Sequence, residues 1–542
     1  MAKNKKEGFM QGVLALMCSQ VIIKILGLIY SMYLTNREGF GDSGNAIYMS
    51  GYQVYALLLT LSSIGVPNAI SKLVSEKLAL GDRKGADRIF KIAFVAFAII
   101  GFGGTLMLYL GASVIANSWL QIPEAEYTLM TLSPAIFFVS ISSVIRGYFN
   151  GRQKMSATAK SQTVEQIFKT TLTIVIVEIV AICTSVNTEL MAAGANLATT
   201  FATFLSFSYI FALYKMNRKE EYKNPIERAK PTTKESAKSI IKKILAVSIP
   251  ISLSSLISAI NKNIDSVTVV RILKPIIGEA TAKAKYGILS SKVDILTSMP
   301  LAFNIAFATA LVPTISGARV KNDTETINKR LRLSLLITIL IGLPCTFGMF
   351  IYARQILELL FPNASSGGTL LAISAFTIIF TSLAQTINGA LQGLGKIKVP
   401  AIALGCGVIV KFIANLLLIP IEGIFENGAA IGSVLCHIVS FTIVYSVLKK
   451  TIQLDFSISQ LIVKPLIVTI LMSVISYGVY QGGMLLGMVS TLATILGIVV
   501  AVMVYFVFII LLKVLSKEDI LMLPNGEKIY QLLQKLKIYK EA

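Results

Sequence analysis

The stretch "RGYFNGRQKMSATAKSQTVEQIFK", residues 146–169, returns at 388–411 as "NGALQGLGKIKVPAIALGCGVIVK". At this offset of 242, Gly147 meets Gly389, Gly151 meets Gly393, Lys154 meets Lys396, Ala159 meets Ala401 and Lys169 meets Lys411. The apolar pairs Phe149/Leu391 and Met155/Ile397 agree as well. A second echo, at an offset of 246, sets "GVPNAIS" (65–71) against "LVPTIS" (311–316), each followed by a basic loop. Two echoes at nearly one offset, at equivalent places in the order of apolar runs, mark a duplicated chain. Arg146 stands at the end of its apolar run and has only Asn388 as counterpart. It reads either as a snorkelling anchor at a membrane surface or as part of the inner mouth of a polar cavity.

Working outward, the composition fixes the solvent. The chain has 542 residues, of which 54% are hydrophobic and 14% charged, with a mean hydropathy of +0.73. Soluble domains carry about 25% charged residues. Apolar runs of the length that crosses a bilayer core, about 20 residues, recur from end to end. The strand-period alternation of an outer-membrane barrel is absent from them. The sequence predicts an all-α polytopic membrane protein with about 14 transmembrane helices: two six-helix parallel repeats and two further C-terminal helices. The divisions are an N-terminal six-helix bundle over 1–217, a cytoplasmic linker over 218–240 and a second bundle over 241–450. Helices 13 and 14 follow over 451–515, and an amphipathic tail over 516–542 carries Ile529, Leu532, Leu533 and Leu536 at helical spacing.

The opening "MAKNKKEGF" leads into an apolar run too long for a signal-peptide core, so it predicts a retained first span. On this span assignment most of the 50 Lys and Arg fall in the N-terminus, the even-to-odd loops and the tail. The positive-inside bias then puts both termini in the cytoplasm. A basic membrane protein facing anionic lipid accounts for the net charge of +22 without a nucleic-acid partner. One outer loop is discordant: "RILKPIIGEATAKAK", 271–285, carries four basic residues. The five cysteines, Cys18, Cys183, Cys345, Cys406 and Cys436, lie in apolar runs without paired spacing, so neither a disulfide framework nor a metal site is predicted.

Ionisable residues inside the spans are the candidate site, because a charge at the bilayer centre costs at least about 2.5 kcal/mol and must face protein or water. Lys24 lies about 22 Å along the first span at 1.5 Å per residue, too deep for easy snorkelling, and predicts a cavity-facing cation. Glu165 and Lys169, spaced i, i+4 with the acid first, predict an ion pair on span 5. Lys262 with Asp265 on span 7, and Lys292 with Asp294 on span 8, suggest one polar patch toward the outer side. Lys411 faces Gly407 where Lys169 has Glu165. Glu178 completes the set, and Asn388 adds a polar wall. The single histidine, His437, reads as a core residue. Pro67 and Pro313, matched through the second echo, are the hinge candidates.

Six cations against four anions suit an anionic head group and disfavour an organic-cation exporter. No G-x-x-x-x-G-K-[ST] loop occurs, and "GDRKGADR" (81–88) is a charged turn without that spacing. Serine-hydrolase and metalloprotease patterns are missing too, so the sequence predicts no enzyme. No cofactor is called for beyond a coupling cation or the membrane potential.

The quoted repeat segment, together with "KILGLIYSMYLT" and "GVPNAISKLVSEK", resembles the polysaccharide-biosynthesis branch of the multidrug/oligosaccharidyl-lipid/polysaccharide exporter superfamily, in its stage V sporulation protein B and lipid II flippase group. The resemblance implies two six-helix bundles in a V shape around a cationic cavity, with helices 13 and 14 forming a groove for a polyprenyl tail. It implies a flippase for an undecaprenyl-pyrophosphate-linked glycan, lipid II foremost, in the bacterial cytoplasmic membrane, where membrane lipids and cell-wall synthesis proteins are its surroundings. Lys24 in "KILG" takes the place of the family's first basic residue. Tyr30 and Ser31 stand where a second arginine is usual, and Asp294-Ile295 where Asp-Arg is usual. Alternatives in the same frame are an exporter of another lipid-linked polysaccharide, a cation-coupled drug exporter and a non-transporting cell-wall scaffold.

Overall fold

The computed structural model describes residues 9–63, 65–152, 154–223, 235–452, 459–521 and, in the tail, 527, 530, 531 and 534. Most of the expected amphipathic tail helix and the middle of the linker lie outside the described residues. Every regular element among the described residues is helical. The first helices are α1 (Phe9–Asn36), α2 (Gly41–Ser63), α3 (Gly65–Ala79), α4 (Arg83–Val114) and α5 (Ala125–Gly151). Next come α6 (Met155–Cys183), α7 (Thr188–Lys223), α8 (Ala237–Ile277) and α9 (Glu279–Gly287). A π-helical turn, Ile288–Val293, leads into α10 (Asp294–Val320). They are followed by α11 (Thr324–Ile351), α12 (Ala353–Leu360), α13 (Gly368–Gly393), α14 (Val399–Leu418) and α15 (Asn427–Thr451). The chain closes with α16 (Lys464–Leu485), α17 (Ser490–Leu511) and the short α18 (Lys517–Leu521).

By length and composition, eleven helices among the described residues can cross a membrane, α2 and α3 counting as one. The other three expected spans fall on α1, α8 and α10, the helices that carry Lys24, Lys262 with Asp265, and Asp294. The chain is a multi-pass, all-helical membrane protein. It forms two compact units: Met1–Leu296 with Phe412–Ala429, and Thr297–Lys411 with Ala430–Ala542. In the first, Val66, Ile70, Val74, Phe90, Ile145 and Tyr148 belong to one buried apolar cluster. In the second, Ile315, Leu331, Leu391, Val444, Val468 and Ile509 do the same.

The paired glycines explain why the duplicated stretch is duplicated. A Cβ on Gly147 would stand 2.8 Å from the Pro67 carbonyl oxygen, and one on Gly151 2.7 Å from that of Ser71. In the second unit, a Cβ on Gly389 would stand 2.4 Å from the Ala308 carbonyl oxygen and one on Gly393 2.9 Å from that of Val312. Only glycine lets α5 lie on α3, and α13 on α10, at this distance. The turn that follows is also repeated: the Lys154 amide donates to the Phe149 carbonyl at 3.0 Å, and the Lys396 amide to that of Leu391 at 2.8 Å.

The packing register corrects one pairing. Pro67 and Ser71 occupy the places of Ala308 and Val312, an offset of 241, so Pro313 is not the counterpart of Pro67. The Val-Pro dipeptide suggested the match, but proline is frequent in membrane helices and recurs without common position. Pro67 lies within the span Gly41–Leu78 and Pro313 within α10.

The same register uncovers an echo in a segment of little sequence likeness. Gly81 (φ 74°) ends α3, the Asp82 amide donates to the Lys77 carbonyl at 2.8 Å, and the Asp82 carboxylate accepts from the Gly85 amide at 2.8 Å to start α4. Asn322 (φ 54°) ends α10 with Asp323 N–H on the Ala318 carbonyl at 3.0 Å, and the Asp323 carboxylate accepts from the Thr326 amide at 2.9 Å to start α11. Glycine and asparagine are the residues that tolerate the left-handed exit, and aspartate is a preferred N-cap. "GDRKGADR" is therefore the helix-to-helix turn of the repeat.

Candidate substrate site

Arg146 is buried on α5 and does not snorkel. Its guanidinium Nη2 donates to Glu165 Oε2 at 2.7 Å and to the Oγ atoms of Ser161 and Ser206 at 3.0 Å, while Nε reaches Ser161 Oγ at 3.2 Å. A guanidinium taken from water needs several acceptors, and α6 and α7 supply three. The i, i+4 pair expected between Glu165 and Lys169 is thereby replaced. Glu165 serves Arg146 from across the bundle, and Lys169 lies over the Tyr52 ring at 4.1 Å and the Tyr30 ring at 5.2 Å.

The two acid–base pairs expected to share one patch also part company. Lys292, with no exposed surface, pairs with Asp42 at the start of α2, Nζ to Oδ1 at 2.8 Å and to Oδ2 at 3.0 Å. α9 comes that close because Gly287 has no side chain: a Cβ there would overlap the Asp42 carbonyl. Asp265 accepts from Asn415 Nδ2 at 3.0 Å, and the same amide reaches Thr268 Oγ1 at 3.0 Å. Asp294, two residues beyond Lys292 and so on the other side of the helix, interacts electrostatically with Lys24. Lys24 is half-buried and also within electrostatic range of Lys262, which is exposed on α8. Lys24 thus has Lys262 and Asp294, from two other helices, within electrostatic range.

The segment 271–285, discordant with the charge bias of the sequence, is helical and its basic residues are held by hydrogen bonds or ion pairs. Lys274 and Lys283 hold Glu279 at 2.8 and 2.6 Å, Lys283 also holds Glu124 at 2.6 Å, and Lys285 holds Glu426 at 2.6 Å. Arg271 Nη2 donates to the Ser118 carbonyl at 2.7 Å. Hydrogen bonds from Lys274 and Lys283 pull the Glu279 carboxyl down to about 2. Near the same end of the bundle, Glu178 accepts from Arg37 at 2.9 and 3.0 Å and from the Tyr33 hydroxyl.

In the second unit Lys411 is buried on α14, within electrostatic range of His437. Gly407, in the place of Glu165, lies against the Cys436 carbonyl, where a Cβ would stand 2.4 Å away. Asn388 keeps a buried Oδ1 without a hydrogen-bond partner. An apolar cavity of about 360 Å³ opens among α11, α16 and α17, lined by Leu340, Pro344, Tyr352, Met472, Tyr505 and Phe506. Among the described residues, no group of three or more His, Cys, Asp or Glu side chains is placed to hold a metal.

Sequence reading missed Asp42, which lies outside the predicted spans, and the serines that complete the Arg146 site. The spacing of Tyr48 and Tyr52, one helical turn apart, was the available signal for the ring faces around Lys169.

Helices stacked through glycine and carrying ion pairs between them form a multi-pass helical bundle, and the relatives of the chain place it among membrane transport proteins. The chain belongs to the family described as "Polysaccharide biosynthesis protein", whose model matches residues 9–319; the MatE model matches 250–417. Stage V sporulation protein B of Bacillus subtilis (strain 168) is 25% identical over 534 residues, 96% of this chain and 98% of that one. Lipid II flippase MurJ of the same organism is 25% identical over 461 residues, 81% of this chain and 82% of that protein. The solved structure "Lipid II flippase MurJ, inward closed conformation" aligns with a TM-score of 0.66 at 15% identity, covering 91% of this chain and 98% of that one. The fold is that of the multidrug/oligosaccharidyl-lipid/polysaccharide exporter superfamily.

Proposed function

We propose that the chain is a flippase that carries an undecaprenyl-pyrophosphate-linked glycan, lipid II most directly, from the inner to the outer leaflet of the bacterial cytoplasmic membrane. It works by alternating access, with both termini in the cytoplasm. The observation that carries the reading is that Lys24, deep in α1, has Lys262 and Asp294 of two other helices within electrostatic range. Arg146 and Lys292 are each neutralised by a dedicated acid, Glu165 and Asp42. Lys24 and Lys262, brought within electrostatic range from two helices, are cations of the kind that a pyrophosphate would meet. The apolar cavity among α11, α16 and α17 offers a prenyl chain hydrocarbon surroundings while the head group crosses. The name of the Bacillus subtilis relative Lipid II flippase MurJ supports a lipid-linked cell-wall precursor as cargo, and the family description "Polysaccharide biosynthesis protein" leaves the glycan open between lipid II and another polysaccharide unit.

Complementation tests the site. In a strain depleted of its lipid II flippase, the wild-type gene restores growth and clears lipid II from the inner leaflet, whereas Lys24→Ala and Lys262→Ala do so poorly at equal expression. Full complementation by the double variant would remove these lysines from the site. Failure of the wild type, with accumulation of a different lipid-linked glycan in its own host, would assign the other cargo.

A further inference from the structure

Lys169 is 6% exposed, and none of the ion pairs among the described residues includes it. The nearest acid on its own helix, Glu165, is committed to Arg146. An ammonium in such a place has lost its water and, without a carboxylate, must be compensated in another way. The compensation comes from tyrosines: the Tyr48 side chain acts on the ammonium through its hydroxyl, and two other rings face it. Nζ lies 4.1 Å from the centroid of Tyr52 and 5.2 Å from that of Tyr30. Tyr48 stacks on Tyr52 with centroids 6.1 Å apart and meets Tyr30 edge-on at 6.4 Å, so the three rings form one wall. Tyr30 belongs to α1, Tyr48 and Tyr52 to α2, and the cation to α6. Two ring faces around one cation make the aromatic-cage arrangement by which free alkylammonium groups are recognised.

We propose that Tyr30, Tyr48 and Tyr52 build a cage for an alkylammonium-class cation, and that Lys169 is its tethered occupant, fastening α1, α2 and α6 as a bound ion would. The cage lies on α1 six residues beyond Lys24, so it is a positioning device for the helix that carries that charge. What the cage requires is positive charge against ring faces; a hydroxyl contact or mere bulk is not sufficient.

Lys169→Ala removes a propyl ammonium and leaves the rings. The full-length variant, purified in detergent, is expected to melt several degrees below wild type. n-Propylammonium chloride should recover most of that loss in a saturable manner, and 1-propanol, of the same size without charge, should not. Equal rescue by the alcohol, or no rescue by the amine, overturns the proposal. A second pair of variants carries the test by itself if Lys169→Ala does not fold. Tyr52→Phe keeps the ring face and should melt as wild type, whereas Tyr52→Leu should fall. Equal damage from both would mean that the phenolic hydroxyl holds Lys169, contrary to the proposal. Both readouts concern the protein's own stability and stand apart from what it transports.

Discussion

The hairpin α5–α6 of the first unit and α13–α14 of the second share a backbone and little chemistry. Both approach a neighbour through two glycines one helical turn apart, and both turn with the same amide-to-carbonyl bond. On that common frame the first holds Arg146, Glu165 and Lys169, the second Asn388, Gly407 and Lys411. Duplication has thus preserved what lets helices stack and released what lines them. The charges of one half cannot be inferred from the other. Gly407 makes the point: the residue that would supply a carboxylate in the second half is a close-approach glycine against Cys436.

The largest test of this contrast is a matched pair of substitutions at the first repeat position. Arg146→Met leaves Glu165 without its guanidinium in the bundle interior, and a broken buried pair costs about 3–5 kcal/mol. Asn388→Met removes an amide whose oxygen has no partner and should lie within about 1 kcal/mol of wild type. Equilibrium unfolding in mixed micelles reads both; equal losses would dissolve the asymmetry.

The shared part should respond alike. Gly147→Ala and Gly389→Ala each push a methyl onto a backbone carbonyl and should cost about 1–3 kcal/mol in either half. A loss confined to one half would show that the two stacking contacts are not equivalent. Smaller again, Asp82→Ala and Asp323→Ala each remove an N-cap at the repeated turn, worth about 1 kcal/mol, and should lower the melting temperature by similar amounts.

The smallest effect concerns pH at Glu279. Glu279 is held below its ordinary value of 4.5, at about 2, so its ties to Lys274 and Lys283 are fully present above pH 4.5 and lost as pH falls through about 2. Hydrogen exchange across 274–287 should be unaffected by Glu279 between pH 7 and 5, and Glu279→Gln should accelerate it there. An unchanged exchange rate in the variant would mean that the short helix is held by packing alone.

The fold class and the duplication were legible because they rest on hydropathy and on glycine spacing, which survive divergence. The turn around Asp82 and Asp323 was hidden, since Gly81 and Asn322 do one job with different residues. The partners of the intramembrane charges were mostly unreadable. Local spacing offered Lys169 to Glu165, but Arg146, 19 residues away in sequence, reaches that carboxylate across the bundle with better geometry. Lys292 found Asp42 at a separation of 250 residues, which no helical period can announce. Lys24 was legible for the opposite reason: its depth in a long apolar run is a local property, and the structure sets it half-buried within electrostatic range of Lys262 and Asp294.

The central claim, that the positive charge of Lys24 and Lys262 moves a lipid-linked pyrophosphate, is tested most directly by reconstitution. Purified protein in liposomes carrying fluorescent lipid II in both leaflets should make the inner pool accessible to an external quencher. The double variant Lys24→Ala/Lys262→Ala, inserted and folded to the same extent, should be slower by about tenfold or more, the equivalent of about 1.4 kcal/mol. Wild-type liposomes no faster than protein-free ones, or a double variant as fast as wild type, would contradict the account.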